Sequence, residues 1–299
     1  MHLQSSDLPA YAAHLAARDD SDTADMLERL RCAIAEGRLH LDDIFVTFDP
    51  SGERISASVR VCVLGKDFVV LTEWRGDEGA GTYEALSKLL SGATARAAEI
   101  EAPKMGTRVS LDGMTDAYRR ALQDAGFVFQ GRRVEYRTPI SELPDDRTSQ
   151  LTWTTMADVG EKAVLDLIRE ASTDSPDGMD VEAGVSAIED VLGGSYNTLD
   201  PRAVEVGCLD SRAVAVLLTR VDVESGWAGI QFLGIVPEVR GRGLGTDVHL
   251  HGIATMRDLG GTVYYDGTGE TNAPMLRLFD KHGCIEHSRM EEWEWRASM

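Results

Sequence analysis

Between Leu233 and Thr246 the chain reads Leu-Gly-Ile-Val-Pro-Glu-Val-Arg-Gly-Arg-Gly-Leu-Gly-Thr, and no other segment restricts its fold so strongly. An apolar run ends at a proline turn, three alternating glycines follow, and a helical pattern opens at about Gly245. A strand that hands over to a helix through glycines belongs to an α/β architecture. The glycines let backbone N–H groups approach a ligand without a Cβ in the way. A helix N-terminus aims its free N–H groups and positive dipole end at the same place. Arg240 and Arg242 add two cations suited to a diphosphate.

The rest of the chain makes this concentration conspicuous. With 50 acidic and 30 basic residues the net charge is -20, so an anionic ligand has to be met by local positive potential. The same charge argues against nucleic acid and anionic membranes as partners. It attracts cationic substrates such as amines, and it also serves solubility. The segment MHLQSSDLPAYAAHL has no basic stretch leading into an apolar one, and no apolar run reaches the roughly 20 residues of a membrane span, so a cytoplasmic location is expected. Cys32, Cys62, Cys208 and Cys284 are far apart and read as reduced thiols. No histidine spacing points to a metal: His249 and His251 fall on opposite sides of a helix, and His282 reads as a helix C-cap.

The polar stretch Ser141–Gln150 reads as a linker between two halves. In the second half, periodicity predicts a strand at Leu151–Thr155, helices at Asp158–Ala171 and Val181–Leu192, and a hairpin of Val204–Leu209 and Ala213–Val221 turning at Asp210-Ser211-Arg212. A strand at Trp227–Val236, a helix to Leu259, a strand at Thr262–Asp266, a helix at Ala273–Lys281 and a strand at Glu291–Trp295 complete it. The first half follows a similar order: a helix at Thr23–Ile34, strands at Asp43–Asp49, Ser56–Leu64 and Phe68–Trp74, a helix at Thr82–Ile100, a strand at Arg108–Leu111, a helix at Thr115–Ala125 and closing strands at Phe127–Arg137. The expected fold class is α/β (α+β), as a tandem repeat of one mixed, mostly antiparallel sheet flanked by helices. Two unrelated α/β domains would give a comparable order.

Three readings of the glycine cluster compete. A Walker A loop is excluded because no Gly-Lys-Ser/Thr follows. A dinucleotide fingerprint fails at its sixth position, Thr246, and Pro237–Arg240 separate the strand from the first glycine, although Asp266 lies where a ribose-binding acid would sit. A plain structural loop leaves both arginines unexplained.

The arrangement resembles the GNAT superfamily of N-acyltransferases. Its signature Gln/Arg-x-x-Gly-x-Gly/Ala is met by Arg240-Gly241-Arg242-Gly243-Leu244-Gly245, after a strand ending Leu233-Gly234-Ile235-Val236-Pro237. A second segment, Asn-x-x-Ala-x-x-Leu-Tyr-x-x-x-Gly-Phe, is matched by Asn272 through Leu278-Phe279 to Gly283-Cys284. The resemblance covers residues 149–299 and implies acetyl-CoA as co-substrate and an amine, small molecule or protein, as acceptor. It implies that Leu233, Gly234 and Ile235 pair with the pantetheine arm, that amides from Gly241 to Thr246 hold the diphosphate with Arg240 and Arg242, that Asn272 contacts the cofactor and that Phe279 packs near its sulfur. Two departures stand out. Phe279 occupies the place of a tyrosine that protonates the leaving thiolate. The central strand lacks the family's glutamate, so Asp266 is the candidate base, with a water chain or a plain turn residue as alternatives. Asp174 and Asp177 are candidates to attract an ammonium group.

In residues 1–143 the equivalent segment is Trp74-Arg75-Gly76-Asp77-Glu78-Gly79-Ala80-Gly81. Two carboxylates beside a diphosphate would cost on the order of 3–5 kcal/mol. This half is expected to be a degenerate copy without cofactor, a plan that tandem members of the superfamily, mycothiol synthase among them, resemble. A non-catalytic acyl-CoA-binding or sensing protein is the alternative to an enzyme.

Overall fold

The computed structural model describes residues 1–19, 21–63, 69–76, 83–175, 185, 188 and 200–297. The chain forms two compact units, Met1–Gly131 with Met290–Met299, and Arg132–Arg289.

In the first unit, α1 (Leu8–Asp19) and α2 (Thr23–Ala35) precede the meander β1 (Ile44–Phe48), β2 (Ile55–Val63) and β3 (Val69–Gly76). Helix α3 (Tyr83–Glu99), β4 (Lys104–Ser110) and α4 (Asp116–Asp124) follow. Leu86, Leu89, Leu90, Ala93 and Ala97 recur at helical spacing and form the buried face of α3. They pack on Val59, Val61, Leu71 and Met105 from the strands. Asp22 starts α2 as an N-cap, its side chain accepting from the amides of Ala24 and Asp25. Strand β3 runs antiparallel to β2 and parallel to β4.

In the second unit, β5 (Phe127–Pro139, from Arg132 on), β6 (Thr152–Thr155), a short α5 (Met156–Val159) and α6 (Glu161–Ser172) lead to β7 (Val204–Leu209), β8 (Arg212–Val221) and β9 (Trp227–Ile235). Helix α7 (Leu244–Asp258), β10 (Val263–Gly269), α8 (Ala273–Lys281) and the start of β11 (Glu286–Arg296) complete it. The strand order is β5-β10-β9-β8-β7-β6. The predicted hairpin is present: Leu209 pairs with Arg212, and Asp210 and Ser211 have φ of 50° and 67°. Two residues at positive φ make the primed turn whose twist suits a two-residue hairpin. Val214–Leu218 of β8 are all buried, as suits a central strand covered on both faces. Val164, Leu167, Ile168 and Ala171 of α6 join that core. Of the second helix expected at Val181–Leu192, only Val185 and Ile188 are described; both are helical and buried.

The units differ from the expected division at residues 143 and 149. Residues 133–139 of β5 pair with β10, within the second unit. Residues 290–296, the final strand, pair with β4 and belong to the first. The expected linker is bonded to α7 instead: Arg147 grips Asp258 with two 2.8 Å bonds, and Arg257 donates to the carbonyls of Ile140 and Leu143. Polar composition without periodicity does not separate a free linker from a segment held by side chains. Strand pattern likewise reports a half-buried face, not the sheet that buries it. No helix among the described residues is long and apolar enough to cross a membrane.

The placement of the final strand is testable. Trp293 is 3% exposed and sits in the core of the first unit. Trp293→Ala is expected to cost about 3–5 kcal/mol, the range for emptying a buried aromatic site. Hydrogen exchange should show the lost protection in Met1–Gly131. Loss confined to Arg132–Arg289 would contradict the assignment.

Candidate active site

Strands β9 and β10 pair in parallel only at Trp227–Val263 and Ala228–Tyr264, and then the ladder stops. On its other side β9 stays antiparallel to β8 as far as Ile235, with Gln231 bulged out between Leu218–Phe232 and Thr219–Ile230. A bulge bends and twists its strand. The result is a fork whose β9 arm offers an unpaired edge along Leu233, Gly234 and Ile235. At the crotch, Gly229 is indispensable: a Cβ there would lie 2.4 Å from the carbonyl oxygen of Tyr265.

Beyond the fork lies a pocket of about 570 Å³. It is lined by Leu233, Gly234 and Ile235 of β9, by Arg240, Gly241, Gly243, Gly245 and Thr246 around the start of α7, and by Asn272, Pro274, Met275, Arg277, Leu278 and Lys281 at α8. Ala171, Asp174 and Ser175 close it beside the end of α6. Gly241 and Gly243 have φ of 77° and 85°, the left-handed region that favours glycine, and no atom of the described residues lies within 4 Å of where their Cβ would stand. The amides from Gly241 to Gly245 have no acceptor among the described residues. Amides without an acceptor at a helix N-terminus are the donors that suit a phosphate. An acyl-CoA fits this pocket by chemistry: an open strand edge for its amide-bearing arm, and donors with cations for its diphosphate.

The predicted cofactor residues divide into groups. Nine of them line the pocket: Leu233, Gly234, Ile235, Arg240, Gly241, Gly243, Gly245, Thr246 and Asn272. Arg240 does so while clamping the backbone, donating through Nε to the Ile235 carbonyl at 2.9 Å and through Nη2 to that of Ala171 at 2.8 Å. Asn272 caps α8, with Oδ1 accepting from the Met275 amide and Nδ2 donating to Thr268. Arg242, Leu244 and Phe279 are not among the lining residues. Arg242 is exposed, Leu244 is in the core, and Phe279 is fully buried against Tyr136. Two cations went unnoticed in the sequence, Arg277 and Lys281, which line the pocket from α8; Lys281 donates to Thr246 Oγ1 at 2.9 Å. Their spacing by four residues was the available signal. Asp174 lines the pocket, whereas Asp177 lies outside the described residues, as does the stretch 77–82.

Asp266 stands at the fork rather than in the pocket lining. Its Oδ2 accepts from the Ile230 amide at 3.3 Å and from the Tyr264 hydroxyl at 2.8 Å, and its Oδ1 accepts from the Gly267 amide at 2.7 Å. The carboxylate thus supplies an acceptor where the β9–β10 ladder ends. Burial pushes its pKa up to about 6, against the pull of Tyr264, Gly267, Arg133 and Ile230. Tyr264 also meets His249, whose other nitrogen meets His282. Burial, with His282 adding to it, drives His249 down to about 3. Burial and Lys281 lower His282, and burial beside Asp266 raises Cys284 to about 12. His282 does occupy the C-cap position of α8, but its ring bonds His249.

These shifts predict how stability depends on pH. His249 is neutral in the fold but charges in the unfolded chain below about 6.5, so its contribution is lost as pH falls from about 6.5 to 3. Asp266 acts in the opposite sense: its raised pKa favours the fold at low pH, and that contribution is lost as pH rises through about 6. At about 1.4 kcal/mol per pH unit the histidine effect is the larger. His249→Gln is expected to flatten the acid limb of the stability curve, measured by urea unfolding between pH 4 and 7. An unchanged limb would show that His249 is not buried neutral.

Residues 195–284 match the family described as Acetyltransferase (GNAT) family. A search of curated protein sequences finds no significant match. Among solved structures, a GCN5-related N-acetyltransferase from Sphaerobacter thermophilus is similar with a TM-score of 0.64 and 15% identity, over 100% of this chain and 96% of that one. A tandem GNAT protein from the clavulanic acid biosynthesis pathway is similar with a TM-score of 0.57 and 11% identity, over 99% and 96%. A GCN5-related N-acetyltransferase from Kribbella flavida is similar with a TM-score of 0.56 and 14% identity, over 81% and 91%. At these identities the likeness is one of fold. Glycine cradle, forked strands and these likenesses converge on one statement: the chain has the fold of GNAT acetyltransferases, a tandem GNAT protein among them, and its residues 195–284 match the acetyltransferase (GNAT) family.

Proposed function

We propose that the second unit transfers an acetyl group from acetyl-CoA to a primary amine by direct attack on the thioester. The observation that supports this best is the continuity of the open β9 edge with the unpartnered amides at the start of α7. The pantetheine arm adds to Leu233–Ile235 as a strand adds to a sheet edge. The diphosphate rests on the amides of Gly241–Gly245, with Arg277 and Lys281 supplying charge. A backbone amide of the bulged strand faces the thioester oxygen as negative charge develops there.

The acceptor amine arrives protonated and gives one proton to Asp266, through water. Its nitrogen forms the bond to the carbonyl carbon and the C–S bond breaks. The second amine proton leaves with the thiolate, so the products are amide, free thiol and a proton held by Asp266. A carboxylate with a pKa near 6 suits a base working at neutral pH. Most of the acceleration comes from orientation. The first unit, with Asp77 and Glu78 in place of the cradle, is proposed to hold no acetyl-CoA.

The test is a thiol-release assay with acetyl-CoA and a panel of polyamines, aminoglycosides, amino acids and peptide N-termini. Release dependent on one amine class is the expected result. Phe279, which brings no proton to the place of the family tyrosine, favours the second reading, an acyl-CoA-binding or sensing protein. Tight binding of acetyl-CoA without thiol release from any amine would establish that reading instead.

A further inference from the structure

Three side chains that no reaction step above uses form a continuous hydrogen-bonded row ending on Asp266. His282 Nδ1 lies 2.6 Å from His249 Nδ1, His249 Nε2 lies 3.0 Å from Tyr264 Oη, and Tyr264 Oη lies 2.8 Å from Asp266 Oδ2. They come from the C-cap of α8, from α7 and from β10, and they are 4%, 0% and 0% exposed.

The direction of each bond follows from proton counting. A carboxylate only accepts, so the single Tyr264 hydroxyl proton points to Asp266. The Tyr264 oxygen must then accept from His249, which places the proton of the neutral His249 ring on Nε2. His249 Nδ1 is left bare and accepts from His282 Nδ1–H. All three protons therefore point toward Asp266, and the row ends at His282 Nε2, a buried atom with no hydrogen-bond partner among the described residues.

We propose that His282, His249 and Tyr264 act as one polarised donor chain that holds Asp266 ionised and oriented at the fork. Each neutral donor strengthens the next, so the carboxylate feels more than one hydroxyl. The other groups facing Asp266 are few. Arg133 of β5 attracts it and is itself paired with Glu135 at 3.2 Å. Cys284, after α8, stays a neutral thiol, and the Ile230 and Gly267 amides complete the set. The chain is the contribution that reaches Asp266 through both helices. Its use in acetyl transfer rests on the proposed role of Asp266 as base.

Two measurements on the full chain test it. In wild-type protein, 15N shifts of the imidazole rings report the tautomers; the expected result is a proton on His249 Nε2 and on His282 Nδ1. The opposite tautomer of His249 overturns the proposal without any variant. In protein labelled with 13Cγ aspartate, the Asp266 signal, identified by its loss in Asp266→Asn, should titrate near pH 6. Tyr264→Phe should move that midpoint upward by at least one unit, a tenfold change in proton affinity. His249→Gln should move it the same way by less. A purely structural role predicts no graded shift, and unchanged midpoints in folded variants overturn the chain. Neither readout needs an acceptor amine, so the chain can fail while the transferase reading survives, and the reverse.

Discussion

Asp266→Asn is expected to lower the proposed acetyl-transfer rate by about 10²–10⁴-fold, the contribution typical of a positioned base, and to leave acetyl-CoA binding unchanged. The substitution is nearly isosteric and keeps an acceptor oxygen for Tyr264 or Ile230, so the fork can stay closed. What it removes is the ability to take a proton near neutral pH. The same assignment fixes the wild-type pH dependence: the rate should fall as pH drops through about 6, because protonated Asp266 is no longer a base. Stopped-flow thiol release with the amine identified in the panel checks both points. A variant with full turnover would reduce Asp266 to an acceptor that finishes a strand ladder. The base would then have to be sought in water.

The second large effect concerns binding. Acetyl-CoA at 100 times its dissociation constant should stabilise the wild type by about 2.7 kcal/mol. At about 2–4 °C per kcal/mol for a unit of this size, the melting midpoint rises by about 5–10 °C. The double variant Arg277→Glu/Lys281→Glu should lose that shift at the same ligand concentration. Both cations line the pocket, and reversing them places two carboxylates where a diphosphate is expected. Lys281 gives up only its bond to Thr246, so the unliganded midpoint should barely move. Arg240 is a poorer probe, since its guanidinium ties β9 to α6 and its loss would confuse binding with stability. Raising the salt concentration should shrink the wild-type shift, as expected for partly exposed charges. A double variant that keeps the full shift would move the anion site away from α8.

Much of the fold was legible because local pattern and global burial agree. The α3 and α6 stripes and the Asp210-Ser211 turn are short-range signals, and the structure realises each where it was expected. The glycine cluster was legible for a similar reason: positive φ at Gly241 and Gly243 is a backbone demand that glycine meets. Helix α1 was overlooked although Leu8, Tyr11, Ala12 and Leu15 recur at helical spacing along its buried side.

What stayed illegible depends on distance in the chain. Arg240 read as a diphosphate cation, but five donors on a long side chain serve whichever carbonyls the fold presents. Leu244 and Phe279 sit inside motifs that touch a cofactor in the family, yet here they fill the core. His249 and His282, 33 positions apart, carry no mutual signal in sequence, and they meet because α7 and α8 pack side by side.

The sequence by itself determined most of the elements, the glycine cradle at the head of α7 and the net charge of -20, since these follow from periodicity, allowed φ and composition. The tertiary structure alone decided which sheet takes residues 133–139 and 290–296, which cations reach the pocket, and that a carboxylate, a phenol and two imidazoles form one row. Those outcomes rest on long-range packing, where a residue's type sets what it can bond and only the fold sets what comes within 3 Å of it.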